Sequence, residues 1–244
     1  MAHDDSPVGR LLSRREALAL LGASGGALFA GSISGKAQPE IAGVSPSCVV
    51  RPEQEEGPYF VDEQLNRSDI RSDPSNGTTK PGVPLGLAMM VFQIGGGSCR
   101  PIPGALVDLW QCDAFGAYSD VRDPLFTTIG QKFLRGFQTT DTTGTARFMT
   151  IYPGWYPTRT VHLHFKIRTA PRSARSQQFI SQLYCDDTLT DRVYALPPYA
   201  SRGLRRVRNN RDAVFLNGGR QLMLAPTADG DGYSARFAVG LAVA

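Results

Sequence analysis

The chain is predicted to be an all-β sandwich. Three observations predict it: short strand-like runs recur beyond residue 84, turn chemistry separates them, and helix-period patterns are scarce after the N-terminal leader. The runs are Leu85–Ile94, Ala105–Gln111, Ala146–Ile151, Val161–Ile167, Phe179–Tyr184, Gln221–Ala225 and Tyr233–Val243. Between them stand Gly95-Gly96-Gly97, Pro101-Ile102-Pro103-Gly104, Asp141-Thr142-Thr143-Gly144, Pro153-Gly154 and Asp229-Gly230-Asp231-Gly232. Glycine supplies left-handed turn positions and proline pre-sets φ, so these clusters reverse the chain between strands. Many short strands joined this way argue for an all-β sandwich or barrel. No internal repeat of fixed period is present.

Residues 1–37 read as an export leader. Ser13-Arg14-Arg15 precedes a weakly apolar stretch from Ala17 to Ala30, broken by Gly22, Gly25 and Gly26, and small residues follow to Gly35-Lys36-Ala37. That stretch is too short and too rich in glycine to hold a membrane span. Twin arginines before such a stretch match a twin-arginine signal; an ordinary secretory signal or a tethered N-terminus is the alternative. The expected location is therefore periplasmic or extracellular. Residues 38–84 lack the strand rhythm and are predicted to form an extended N-terminal arm, with the sandwich domain spanning 85–244. Roughly 207 residues after the leader suffice for one domain with a substantial core.

Charge and cysteine usage narrow the function classes. The formal net charge of +4 becomes +3 without the leader. No Lys/Arg run with interleaved aromatics stands out, so nucleic acid is not an expected partner. The densest cationic cluster, Arg202–Arg211, reads as a solvated loop first and an anion-binding surface second. Cys48, Cys99, Cys112 and Cys185 permit disulfides in an exported protein, with three connectivities. Cys99 and Cys112 flank one predicted strand, too far apart to bond each other. None falls in a Cys-x-x-Cys pair, which argues against a thiolate zinc site.

The richest stretch is Pro153-Gly154-Trp155-Tyr156-Pro157-Thr158-Arg159-Thr160-Val161-His162-Leu163-His164-Phe165, which holds two of the chain's three histidines. Side chains at i and i+2 of a strand share a face, so His162 and His164 present two imidazoles side by side. Such a pair serves as metal ligands or as a polar stripe on a half-buried strand. Upstream, Trp110-Gln111-Cys112-Asp113-Ala114-Phe115-Gly116-Ala117-Tyr118 runs from a strand into a small-residue loop carrying a tyrosine. Downstream, Ile180-Ser181-Gln182-Leu183-Tyr184 places a glutamine on the next strand.

Together these motifs resemble the intradiol ring-cleavage dioxygenases, non-haem iron(III) enzymes typified by protocatechuate 3,4-dioxygenase and catechol 1,2-dioxygenase. The matching pattern is a loop tyrosine after a Trp-bearing strand, Pro-Gly-x-Tyr-Pro, Arg-x-x-His-x-His and a strand glutamine, in that order over roughly residues 48–200. Glu55-Glu56-Gly57-Pro58-Tyr59 also looks like the start of this family's domain. The resemblance implies a Greek-key, prealbumin-like β-sandwich with a catalytic domain over 85–244. It implies Fe(3+) held by Tyr118, Tyr156, His162 and His164. Phenolate is a hard anionic donor that favours ferric iron, and two phenolates with a hydroxide balance its charge in a low-dielectric core.

By the same resemblance, a catechol-type diol displaces hydroxide and Tyr156 and chelates the metal. Ring cleavage by O2 between the hydroxylated carbons then gives a cis,cis-muconate-type diacid. Arg159 is expected to stabilise negative charge on the ring, and Gln182 to donate a hydrogen bond to substrate or intermediate. Four features depart from the family pattern, one being an export signal unlike the cytosolic pathway enzymes. Only four residues separate Pro157 from His162, the helical N-terminal dimerisation region of catechol 1,2-dioxygenases has no counterpart, and Cys185 replaces the more usual aromatic. Homo-oligomerisation stays open. So do two rival functions: a non-catalytic β-sandwich binding module, and a zinc or copper site using His162 and His164.

Overall fold

The computed structural model describes residues 49–95, 98–169 and 177–242; the leader and the first part of the predicted arm lie outside them. Strand β1 (Pro84–Gly95) organises the first sheet, because its alternate residues Leu85, Leu87, Met89 and Val91 are all buried on one side. It pairs in parallel with β11 (Gly232–Ala242) from Leu85↔Tyr233 to Ile94↔Ala242. On its other side β7 (Thr145–Ile151) runs antiparallel along the first half, and β2 (Ser98–Pro101) along the last. A short strand, β10 (Thr227–Asp229), adds to the outside of β11.

The second sheet is wholly antiparallel, in the order β6 (Arg135–Thr139), β3 (Leu106–Trp110), β8 (His162–Arg168) and β9 (Gln178–Tyr184). The two sheets share one apolar core. Leu163, Phe165 and Ile167 of β8 point into it, and Phe165 meets Phe237 of β11 with ring centroids 6.3 Å apart. Each such side chain contributes about 1.5–3 kcal/mol on burial. A small hairpin of β4 (Arg122–Asp123) and β5 (Phe126–Thr127) and two short helices, α1 (Asp187–Tyr194) and α2 (Ala213–Leu216), complete the regular structure among the described residues. No described helix is long and apolar enough to cross a membrane.

The other face of β8 carries His162, His164, Lys166 and Arg168, and it is covered. Residues 55–62 lie along it: Lys166 Nζ donates to Glu56 at 2.8 Å and sits over the Phe60 ring, while Arg168 pairs with Asp108 and Asp62. A second, smaller core forms beneath this cover from Tyr59, Trp110, Cys112, Tyr118 and Val121. The histidines are therefore not a polar stripe on a half-buried strand. Strand β8 is buried on both faces.

Six of the predicted runs are strands. The exception is Gln221–Ala225, where a 3-10 turn (Gly219–Leu222) is followed by an isolated bridge from Met223 to Tyr184. Its leucines read as strand because they are buried, but Gly218 turns the chain in the left-handed region and Leu224 N–H bonds Tyr184 O at 2.8 Å. The cluster Arg202–Arg211 is also not simply a solvated loop. Arg205 is buried against Asp187 and Asp191, Arg208 pairs with Asp191, and Arg202 stacks on Trp155. Arg205 and Arg208 are thus charge-paired, while Arg206 and Arg211 stay exposed. Cys112 and Cys185 are free and buried, and Cys99 is disulfide-bonded.

Candidate metal centre

The site sits where β8 begins, on the covered face. His162 pairs in register with Tyr184, and His164 with both Gln182 and Trp110, so three strands of one sheet fix the histidines. Trp110 stacks on His164 with centroids 5.0 Å apart and 10° between planes. From the outside Gly57 closes on the same ring: its φ is +75°, and a Cβ there would stand 3.1 Å from His164 Cε1. Only glycine combines that conformation with that approach.

Tyr118 arrives from the loop after β3. Asp113 Oδ1 accepts from the Phe115 and Ala117 N–H groups at 3.0 Å each, an Asx-type turn that directs Tyr118 inward. Thr128 Oγ1 donates to Tyr118 O, and Ser119 Oγ to Phe133 O. The Pro153–Tyr156 turn lies against this loop so closely that a Cβ on Gly154 would collide with Asp113 O. Tyr118 and Tyr156 are thus set by two loops that brace each other.

Three of the four expected ligands converge. Tyr118 Oη lies 3.2 Å from His162 Nε2, which is 3.0 Å from His164 Nε2. His162 Nδ1–H donates to Thr160 O at 2.6 Å, which leaves its Nε2 lone pair facing inward. That lone pair receives two neighbours, the Tyr118 hydroxyl and the His164 ring, and His164 Nδ1 is buried without a partner. Burial lowers the pKa of His162 to about 4, and burial followed by the His162 charge holds His164 well below the usual range. Both rings are neutral at pH 7 and able to ligate. Burial pushes the Tyr118 phenol well above its ordinary value, so a strongly polarising cation is needed to remove its proton.

Tyr156 is placed differently. Its hydroxyl donates to Asp123 Oδ2 at 3.2 Å, and the same oxygen accepts from Tyr59 at 2.6 Å. Tyr59 stacks on Tyr118 and meets Tyr156 edge-on, closing an aromatic wall with Phe126. Arg159 and Gln182 are brought together: Arg159 Nη2 donates to Gln182 Oε1 at 2.7 Å. Gln182 is fully buried and its amide donates to Glu55 O, so its hydrogen bonds are already committed within the protein. Its direct partner is Arg159.

Nitrogen and phenol oxygen converging in a water-poor enclosure suit a hard, highly charged cation. Among the described residues no group of three or more His, Cys, Asp or Glu is placed to hold a metal, so a cation here depends on tyrosine oxygen. Sequence reasoning missed Asp123, Tyr184 and Asp212. The Tyr184 hydroxyl lies 2.8 Å from Gln54 Oε1, to which it donates, and 3.1 Å from Gln182 Oε1. Asp212 stood before the apolar run Ala213–Leu216, a helix-cap signal that says nothing of its long-range partner.

A family model described as "Dioxygenase" matches residues 55–194, more than half of the chain. The protocatechuate 3,4-dioxygenase beta chain of Burkholderia cepacia is 33% identical over 122 residues, which cover 45% of this chain and 50% of that protein. The chain thus spans about half the length of this curated relative. An intradiol ring-cleavage dioxygenase from Tetranychus urticae superposes with a TM-score of 0.69 at 29% identity, covering 80% of this chain and 95% of its own. The dioxygenase domain of a dioxygenase carbohydrate-binding protein fusion from Streptomyces sp. SirexAA-E gives 0.57 at 30% identity, with 80% and 100% covered. The span of the family model contains Tyr118, Tyr156, Arg159, His162, His164 and Gln182. The chain belongs to the intradiol ring-cleavage dioxygenase family.

Proposed function

We propose that the protein is an exported iron(III) dioxygenase that cleaves a catechol-type ring between its two hydroxylated carbons, using O2, to a cis,cis-muconate-type diacid. The observation that carries this reading is the convergence of Tyr118 Oη and His164 Nε2 on His162 Nε2, at 3.2 and 3.0 Å, among buried side chains. Tyr118, Tyr156, His162 and His164 would hold the metal. Bound iron would supply Lewis acidity toward the diol and an electron path between ring and dioxygen.

The remaining roles belong to the chain. Tyr156 Oη has Asp123 as an alternative partner, so it can leave a ligand position and hold its proton there without becoming a buried orphan. Arg159, a fixed cation beside the histidines, would stabilise negative charge on the ring. The wall of Tyr59, Phe126 and Tyr156 favours an aromatic guest and excludes water. The zinc or copper alternative lacks a third His, Cys, Asp or Glu ligand among the described residues. The twin-arginine-type leader supports export, and a disulfide at Cys99 is in keeping with an oxidising compartment. Greek-key connectivity and an arm over residues 38–84 go with this reading; residues 49–83 make only isolated bridges.

The test is the visible spectrum of the iron-reconstituted protein, before and after anaerobic addition of catechol. A tyrosinate-to-iron band that moves to longer wavelength is expected, weakened by Tyr118→Phe with loss of iron and altered by Tyr156→Phe with iron retained. A protein that stays colourless after reconstitution would sink the reading. Recovery of uncut protein only from the cytoplasm would remove the export part.

A further inference from the structure

We propose that Asp212, beyond the end of the family-model match at residue 194, is a positioning residue for the site. The inference rests on the function proposed above. Asp212 side-chain oxygens are fully buried, and each has a defined task. Oδ2 accepts from Arg159 Nε at 2.8 Å and from the Thr160 N–H at 2.7 Å. Oδ1 accepts from the Phe215 N–H at 2.9 Å, capping α2. One carboxylate therefore ties a C-terminal turn to the two residues between the Tyr156 turn and the histidine strand.

Both ties lead into the site. Arg159 is held at Nε by Asp212 and at Nη2 by Gln182, so two contacts fix the plane of its guanidinium. Thr160 is held at N–H by Asp212 and at Oγ1 by Asn209, which accepts at 2.7 Å. Its carbonyl in turn takes the His162 Nδ1 proton and selects the tautomer with Nε2 free. Such outer contacts orient ligands, and their loss commonly costs 10–100-fold in activity or metal affinity, as an order of magnitude. Asn209 also donates to Cys185 O, which anchors the turn to the end of β9.

Two substitutions separate positioning from capping. Asp212→Ser keeps a good N-cap but offers one oxygen, which the Phe215 N–H claims. Asp212→Asn keeps the size, yet turns an NH2 toward either Phe215 N–H or the Arg159 and Thr160 donors. In the iron-loaded enzyme, kcat for catechol per bound iron should fall about 10–100-fold in both variants. KM should change less than about threefold, as expected when a charge stabilised in the transition state is lost. In the metal-free protein, NMR should show an exchange-protected Arg159 Nε–H in wild type that loses protection in Asp212→Ser. Wild-type kcat together with a protected Nε–H in Asp212→Ser would overturn the inference. If wild type forms no iron band, the function reading fails, and the Nε–H measurement still decides the role of Asp212.

Discussion

The two outer faces of the sandwich are built from the same backbone geometry and have opposite fates. On the first sheet the outward residues of β1 are Gly86, Ala88 and Met90, and Ala88 stands in register between Arg147 and Arg236. This face is open, with a concavity of about 670 Å³ over Gly86, Ala88 and Met149. On the second sheet the outward residues of β8 are two histidines, a lysine and an arginine, and residues 55–62 cover them. Covering turns a pair of strand imidazoles into a site. It keeps both rings neutral, removes water, and lays Tyr59 on Tyr118, which meets His164 edge-on. The open face shares no residue with the site.

The contrast can be broken most severely at Gly57. Gly57→Val forces a β-branched residue into the left-handed region and drives its Cβ toward His164. A destabilisation of about 2–5 kcal/mol is expected, summing the left-handed and overpacking terms. Denaturant melts of the metal-free protein check this, and iron uptake should fall in parallel. A variant with wild-type stability and iron content would show that the cover does not press on the site.

A smaller effect follows from proton linkage. His162 has its pKa lowered from 6.5 to about 4 in the folded state, so the unfolded chain binds the extra proton between those values. Stability from this group is fully present above pH 6.5 and is lost as pH falls through about 4, by at most on the order of 3 kcal/mol. Melts of the metal-free protein from pH 7 to pH 4 should therefore slope downward, and His162→Asn should reduce that slope to the part carried by His164. An unchanged slope in the variant would place the titration elsewhere. The smallest effect belongs to the open face: Arg236→Gln should alter stability by less than about 0.5 kcal/mol and leave iron binding untouched. A larger loss would mean that this face is not idle.

Much of the site was legible because strand periodicity is local. His162 and His164 had to share a face once Val161–Ile167 formed a strand, and Gln182 fell opposite His164 by simple antiparallel pairing. Tyr118 and Tyr156 were picked out by motif resemblance; two glycine-bearing loops brace one another, and they bring Tyr118 to the histidines while Tyr156 rests on Asp123. The role of Gln182 was less legible. A buried amide on a strand gives no sign that both of its ends are already taken, and its contact with Arg159 appears only when β9 lies beside the Tyr156 turn. Gln221–Ala225 misled because burial of Leu222 and Leu224 mimics strand periodicity, while Gly218 reverses the chain just before it. Arg205 misled in the opposite direction: its carboxylate partners lie 14 and 18 residues away on α1.

By itself the sequence determined the all-β class, the strand that carries the histidines, and the order of the motifs that mark the family. These rest on alternation, turn residues and short spacings, which act over a few residues. The tertiary structure alone decided that β8 is buried on both faces and that Tyr156 rests on Asp123. It alone decided that Asp212 reaches Arg159 across 53 positions. The physical reason is that burial and charge pairing are satisfied by whatever the fold brings near. A carboxylate carries no mark in the sequence of the distant donor it will meet.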